Sequence, residues 1–279
     1  MKLVLRKYHC MGNDYLVYDT GKNAMELTES RIRRLCHRNF GIGSDGLILI
    51  CPSRTADCRM EMYNADGSRG AMCGNGIRCV GKYVYDKGLT DKKQISIVSF
   101  GNVKYVDLYV ENGLVRSVKV NMGAPVLEAK KVPVKSAMER SVDEPITVNG
   151  KEYRMTCVSM GNPHAVIFME NIAELDIASI GPLFENHEVF PNRTNTEFVE
   201  VVDRTHVNMR VWERGTGETL ACGTGACACA VASVLTGKTD RDVTVHLRGG
   251  DLHIFWDPDT DDVYMEGPAA FVFDGTVEI

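Results

Sequence analysis

Two cysteines set the chemistry this chain can do. Cys73 stands before Gly74-Asn75-Gly76 and Cys222 before Gly223-Thr224-Gly225, 149 positions apart. Each Cys-Gly-x-Gly turn runs into a segment of helical character. A glycine-rich turn that opens a helix presents free backbone N–H groups and the positive end of the helix dipole. It can hold a carboxylate, because glycine lets the backbone approach the ligand. It is also expected to draw the thiol pKa down toward neutrality, making a thiolate available as a base. One thiol on each side of a bound carbon suits inversion: a thiolate takes a proton from one face and the opposite thiol delivers one to the other. The expected reaction is racemisation or epimerisation at a carbon bearing a carboxylate. The competing reading, two small packing residues in glycine turns, weakens once the pair recurs on a duplicated scaffold.

The surrounding elements show that duplication. Leu3 to Tyr8 alternates as a strand, turns at Met11-Gly12-Asn13-Asp14 and resumes at Tyr15–Tyr18. Thr28 is an N-cap for a helix reaching Arg38, with Ile32, Leu35 and Cys36 on one face. A glycine-rich loop, 39–46, leads into the strand Leu47–Ile50, and Cys58–Tyr63 is the next strand. The first cysteine helix is expected from about Gly76 to Lys87, ended by Gly88, with strands at 95–99, 105–110 and 115–121. After an uninformative stretch, 126–149, strands are expected at 153–159, 165–169, 197–202 and 207–212, with helix and loop over 176–185. The second cysteine helix runs to about Leu235, ended by Gly237. Strands at 243–247, 252–256 and 263–265 follow, and Phe271–Phe273 closes the chain.

At an offset of 149 the landmarks coincide. Met160-Gly161-Asn162 falls on Met11-Gly12-Asn13, Asn195 on Gly46, and Trp212-Glu213 on Tyr63-Asn64. Cys222-Gly-Thr-Gly225 falls on Cys73-Gly-Asn-Gly76. A period this long implies two homologous domains rather than a solenoid. The fold class expected is α/β (α+β): two pseudo-symmetric domains, each a mostly antiparallel sheet around a central helix. The boundaries expected are 1–122 with 268–279 for the Cys73 domain and 123–267 for the Cys222 domain. The helix Ala226–Leu235 is apolar on all sides and should be buried. Related domains facing each other across a pseudo-two-fold would set the two cysteines on either side of one cleft.

Composition narrows the setting. The 279 residues are 44% hydrophobic and 25% charged, as in an ordinary globular protein. A net charge of −5 argues against nucleic-acid or anionic-membrane partners. No apolar run approaches the roughly 18 residues that span a bilayer. Met1 to Tyr8 is expected to be a strand rather than a signal peptide, so a cytoplasmic setting with reduced thiols is expected for the ten cysteines. The spacings Cys73-x5-Cys79 and Cys222-x4-Cys227-x-Cys229 do not match structural zinc sites, so no metal is expected. Cys10, Cys36, Cys51, Cys58, Cys157, Cys227 and Cys229 read as small buried apolar residues.

These motifs together resemble one family. Met72-Cys-Gly-Asn-Gly-Ile-Arg78, Gly161-Asn-Pro-His164, Trp212-Glu-Arg-Gly-Thr-Gly-Glu218 and Ala221-Cys-Gly-Thr-Gly225 are similar to those of the diaminopimelate epimerases, as are Gly12-Asn-Asp14 and Tyr63-Asn-Ala-Asp-Gly67. The resemblance covers the whole chain. It implies an isomerase without pyridoxal phosphate or any other cofactor, interconverting LL- and meso-diaminopimelate on the route to lysine and peptidoglycan. It also implies a homodimer, and a C-terminal strand that returns to the first domain. Carried over by position, Cys73 and Cys222 are the acid/base thiols, and His164 and Glu213 support catalysis. Gly74-Asn75 and Gly223-Thr224 hold the α-carboxylate through backbone N–H groups. Asn13, Asn64, Asn162, Asn195, Glu213 and Arg214 hold the rest of this small-molecule substrate. The residues themselves agree, since a second amino-acid head needs both signs of charge, and Glu213-Arg214 with several amides supply them.

Three positions depart from the family pattern. Gly46 stands where some members carry a substrate-contacting glutamine. Phe273 replaces a tyrosine that some members use at a dimer interface. Phe100 is bulkier than the small residue expected before Gly101. Other readings stay open on the residues alone. Gly223-Thr-Gly-Ala-Cys-Ala228 matches a dinucleotide-binding pattern, but the strand before it does not run straight in and no acidic residue ends a second strand. Gly237-Lys-Thr239 is similar to the end of a phosphate loop whose first glycine position holds Ala232. A proline- or histidine-type racemase would share the two-thiol logic, although Asn75 stands where the proline-type enzymes usually carry histidine. A binding module would not need both thiols.

Overall fold

The structure, a computed structural model, describes residues 2–21, 28–70 and 73–278. Met72, the first residue of one motif above, lies outside them. In chain order the elements are β1 (Lys2–Cys10), β2 (Asn13–Asp19), α1 (Glu29–Cys36), β3 (Gly46–Cys51), β4 (Cys58–Asn64), α2 (Gly74–Asp86), β5 (Gln94–Ser99), β6 (Asn102–Glu111) and β7 (Leu114–Gly123). There follow β8 (Glu144–Val148), β9 (Lys151–Ser159), β10 (Pro163–Phe168), α3 (Ile177–Glu185), β11 (Asn195–Val201), β12 (His206–Glu213) and β13 (Gly217–Thr219). The chain ends with α4 (Gly223–Leu235), β14 (Asp242–Leu247), β15 (Gly250–Trp256), β16 (Val263–Pro268) and β17 (Ala270–Glu278). The chain divides into two compact units, Met1–Asn121 with Gly267–Ile279, and Met122–Glu266.

Each unit is an α+β domain of mostly antiparallel strands. In the first, β17 pairs with β1, β1 with β2, β3 with β4, β5 with β6 and β6 with β7, all antiparallel. Among the described residues, β2–β3 and β4–β5 run parallel. The second unit repeats this plan. β8–β9, β9–β10, β11–β12, β14–β15 and β15–β16 are antiparallel, while β10–β11 and β12–β14 are parallel. The long helix makes the crossover between a parallel pair in each case: α2 between β4 and β5, α4 between β12 and β14. In the first unit β17 fills the place beside β1 that β8 fills beside β9. The expected closing strand at 271–273 is thus three times longer, and it returns to the first unit as the family resemblance implied.

The repeat extends to register. Tyr15 pairs with Gly46 as His164 pairs with Asn195, and Leu47 pairs with Tyr63 as Thr196 pairs with Trp212. All eight positions keep the offset of 149. Beyond the long helices the offset becomes 148, because Ile97 pairs with Lys104 where Val245 pairs with Leu252. One residue fewer connects α4 to β14, an indel that the four landmarks, all upstream of it, do not reveal. Gly237, which ends α4 in a left-handed conformation (φ 69°), belongs to a helix C-terminus, not to the helix start a phosphate loop requires.

Local chemistry explains the helices. Thr28 caps α1 by accepting from Arg31 N at 3.4 Å, and Ile32, Leu35 and Cys36 face a core of Leu3, Leu5, Leu16, Tyr18 and Leu47. The exposed phenyl ring of Phe100 sits at the β5–β6 hairpin tip, where Phe100 and Gly101 both take positive φ (50° and 81°). Helix α4 is built of alanine, cysteine and valine and is buried over nearly its whole length. Helix α2 is buried too, although it carries Arg78 and Lys82; Lys82 Nζ is met by Asp86 Oδ2 and Val115 O, both at 2.7 Å. No helix among the described residues is long and apolar enough to cross a membrane.

Candidate active site

Helix α2 begins at Gly74, two residues before the expected Gly76, and α4 at Gly223, three before Ala226, so the cysteines are the N-caps themselves. Cys73 has φ −126° and ψ 117°; Cys222 has φ −126° and ψ 107°. The extended conformation of an N-cap points its side chain back over the first turn, where N–H groups lack helical partners. Gly76 N donates to Cys73 Sγ at 3.4 Å. Cys222 Sγ instead has Thr224 Oγ1 at 3.6 Å. Cys73 is partly exposed and Cys222 is buried.

The expected fall of both thiol pKa values toward neutrality is not seen. Burial pushes Cys73 above the ordinary thiol range, and the bonds from Tyr15 and the first-turn N–H groups only partly offset it. Cys222 is pushed further, first by burial and then by the negative charges of Glu213 and Glu197. Desolvation outweighs the helix terminus at both positions.

Around Cys73, the Gly12-Asn13-Asp14 turn is tied to the glycine-rich loop. Gly12 takes φ 91°, open to glycine, and its counterpart Gly161 takes φ 97°. Asp14 receives Lys7 Nζ at 2.6 Å and Arg38 Nη2 at 2.8 Å. Arg38 also reaches Asp45 Oδ1 at 2.6 Å, and Asp45 Oδ2 accepts from Asn13 Nδ2 at 2.8 Å. Asn13 Oδ1 then accepts from Tyr15 Oη at 2.5 Å and from Asn75 Nδ2 at 2.9 Å. Asn75 is buried and receives Arg78 Nη2 at 2.8 Å. Asn64, at the end of β4, donates to Ser68 Oγ at 3.0 Å and remains in an exposed turn. Gly46 has its Cβ direction closed by Tyr63 O at 2.5 Å, so a side chain there would require the strands to shift.

Cys10 is buried as expected, and its thiol also has polar partners. Its Sγ lies 3.2 Å from Asn75 O and 3.5 Å from Cys79 Sγ. Burial raises its pKa, but the Cys79 hydrogen bond and the Arg78 charge prevail and draw it below the ordinary thiol value. The other cysteines of that group are buried as expected.

Around Cys222 the same backbone carries different side chains. His164 and Glu197 are fully buried, with Nδ1 and Oε1 2.7 Å apart, and His164 Nε2 lies 3.1 Å from Asn162 Oδ1. A Cβ at Gly225 would stand 2.7 Å from Glu197 Oε1, so glycine is what lets α4 settle on this carboxylate. Glu213 accepts from Thr219 Oγ1 at 2.5 Å, and burial lifts its pKa. Asn195 is buried, donating to Pro163 O at 2.7 Å and accepting from Arg214 N at 2.9 Å. It thereby positions the backbone of Glu213-Arg214, while Arg214 Nη1 donates to Asn192 O at 2.9 Å.

Sequence reasoning missed three residues. Glu185 accepts from Gly215 N, Trp212 Nε1 and Arg193 Nη1 and anchors the Arg214 turn. Glu197 sits in the buried part of β11 with no motif to mark it. Tyr15, whose Oη is 3.1 Å from Cys73 Sγ, falls on His164 at the 149 offset and was findable by that route. A cavity of about 340 Å³ lined by Asp19, Ile50, Cys51, Cys58, Val84 and Leu89 contains none of the nominated residues. No group of three or more potential metal ligands occurs among the described residues.

Two α+β repeats, each opening its long helix with a cysteine N-cap, define a class of fold. A phenazine biosynthesis protein of the PhzF family from Bacillus anthracis shares it at a TM-score of 0.70 and 16% identity, over 100% of both chains. A probable proline racemase from Agrobacterium radiobacter shares it at 0.71 and 14%, over 99% of this chain and 92% of that one. At such identities the likeness concerns the fold alone. The family model for diaminopimelate epimerase matches residues 5–128 and 156–272. Proteins named diaminopimelate epimerase are 51% identical in Acetivibrio thermocellus, over 98% of both chains, and 53% identical in Methanococcus maripaludis, over 98% of this chain and 99% of that one. The chain belongs to the diaminopimelate epimerase family.

Proposed function

We propose that this protein interconverts LL- and meso-2,6-diaminopimelate by a two-base exchange of the α-proton, with Cys73 and Cys222 acting on opposite faces of the carbon. The supporting observation is the near-identity of the two cysteine N-caps at equivalent positions of the repeat. The α-carboxylate is held by first-turn N–H groups at Gly74-Asn75 and Gly223-Thr224, whose partial positive charge stabilises the enolate-like carbanion as it forms. One cysteine enters as thiolate and leaves as thiol, and the other does the reverse. The burial that makes each thiolate costly also makes it a stronger base once formed, which suits a weakly acidic α-carbon. Glu213 receives the substrate ammonium next to Cys222. Asn13, Asn64, Asn162, Asn195 and Arg214 shape the pocket for the distal head, and the His164–Glu197 pair holds Asn162 in place.

The reaction needs no pyridoxal phosphate in this scheme. We place the enzyme in the cytoplasm, in lysine and peptidoglycan precursor synthesis, as a homodimer. Phe271, Val272 and Phe273 are all exposed on β17, which pairs with β1 in the first unit. Consecutive strand residues point to opposite faces, so three exposed in a row leave both faces for a second copy.

Chiral chromatography after incubation with LL-diaminopimelate, L-proline or L-histidine tests the substrate. Inversion of diaminopimelate alone is expected. Inversion of proline or histidine in its place would overturn the reading.

A further inference from the structure

Tyr15 takes no part in the scheme above, yet its hydroxyl is set between a proposed reacting sulfur and a fixed acceptor. Tyr15 is 2% exposed, with Oη 3.1 Å from Cys73 Sγ and 2.5 Å from Asn13 Oδ1. The orientation of the Asn13 amide follows from its neighbours. Its Nδ2 donates to the Asp45 carboxylate and its Oδ1 accepts from Asn75 Nδ2, itself held by Arg78. Oδ1 therefore faces Tyr15 as an acceptor only.

One phenolic proton must serve both neighbours. When Cys73 is a thiol, S–H donates to Tyr15 Oη and the phenol donates to Asn13 Oδ1. When Cys73 is a thiolate it can only accept, so the phenol turns to Sγ. Asn13 Oδ1 then keeps the Asn75 bond. Both states are satisfied, and only a hydroxyl rotation separates them.

We propose that Tyr15 is a catalytic residue whose hydroxyl rotates between Asn13 Oδ1 and Cys73 Sγ, stabilising the thiolate before proton abstraction and releasing it afterwards. As the α-carbon C–H bond breaks, its proton forms the S–H bond and its electron pair stays on carbon. Tyr15 keeps its own proton throughout. Burial and the surrounding thiols hold the phenol pKa well above its usual value, which preserves it as a donor. The device belongs to one thiol. At the equivalent place in the second unit His164 faces Asn162 and Glu197, while Cys222 has Thr224 and Glu213 beside it.

The role of Tyr15 in turnover rests on the epimerase reading, but its effect on Cys73 can be measured without turnover. The rate of Cys73 alkylation by iodoacetamide is followed against pH in the full chain, with the modified peptide identified by mass spectrometry. Tyr15→Phe should move the midpoint up by about one pH unit, the usual scale for a hydrogen bond to a charged group. The acid limb of kcat/KM should move with it. 3-Fluorotyrosine at position 15, a stronger donor of nearly the same shape, should move the midpoint down and covers the case in which the Phe variant fails to fold. An unmoved midpoint in either folded variant overturns the proposal. A shifted midpoint in a protein that does not invert diaminopimelate overturns the proposed function and leaves the Tyr15–Cys73 contact standing.

Discussion

His164 and Glu197 share a fully buried contact of 2.7 Å at positions where the first repeat holds Tyr15 and Ile48. The backbone is duplicated, while the groups beneath the two cysteines are not: a phenol and an aliphatic side chain in one unit, an imidazole and a carboxylate in the other. Removing one member of such a buried pair leaves the other without compensation. Glu197→Ala should therefore cost about 1–3 kcal/mol in urea denaturation, and Glu197→Gln, which keeps a hydrogen-bond partner, distinctly less. Loss of the Glu197 charge also removes one of the influences raising Cys222, so the alkaline limb of kcat/KM should move to lower pH in the Gln variant.

Asp14 gives a pH dependence of stability. Burial raises its pKa, but Arg38 and Lys7 outweigh it and hold the carboxyl below its ordinary value. Its folded pKa is thus depressed, so its contribution is present above the unfolded value, about 3.9, and is lost as pH falls through the folded value. Asp14→Asn should be less stable than the parent by roughly 2 kcal/mol near neutral pH. The difference in thermal midpoint should shrink below about pH 4, the unfolded carboxylate range. A difference that does not shrink at all as pH falls through that range would mean that the carboxylate charge is not responsible.

Turnover requires one thiolate and one thiol together. The first ionisation opens the acid limb and the second closes the alkaline limb. Both thiols are raised, Cys222 further than Cys73. Rising pH produces the first thiolate only above the ordinary thiol value of about 8.5, so kcat/KM should still be increasing at pH 8. A plateau already reached at pH 6 would show thiols acidified by their helix termini.

Much of this arrangement was legible in the chain. The 149-residue offset located Asn13 against Asn162, Gly46 against Asn195 and the two cysteines against each other, because strand register and helix starts are conserved features of a duplicated backbone. Burial was not legible. Glu197 lies in a strand of mixed polar and apolar residues and Glu185 at a helix end, and nothing in their neighbours signals that folding encloses them. The thiol pKa shifts were misjudged for the same reason: a helix start can be read from Gly-x-Gly, but the desolvation of its cap residue depends on packing from distant strands. The indel after α4 lies downstream of all four repeated motifs, so their spacing carries no trace of it.

The exposed Phe271, Val272 and Phe273 on β17 bear on assembly. Sedimentation of the parent should give twice the 30.9 kDa chain mass. Val272→Asp should reduce that to the monomer, since a buried uncompensated carboxylate at an interface is costly. A parent that sediments as a monomer would contradict the dimer, and a variant that remains dimeric would place the interface elsewhere.

The most direct test of the two-thiol account is deuterium incorporation in D2O with LL-diaminopimelate, followed at early conversion by mass spectrometry and the α-proton signal. Two bases predict that the meso product carries solvent deuterium from the first turnovers while recovered LL substrate keeps its proton, because the proton removed by one cysteine is not the one delivered by the other. Meso product that retains the original α-proton would contradict the account.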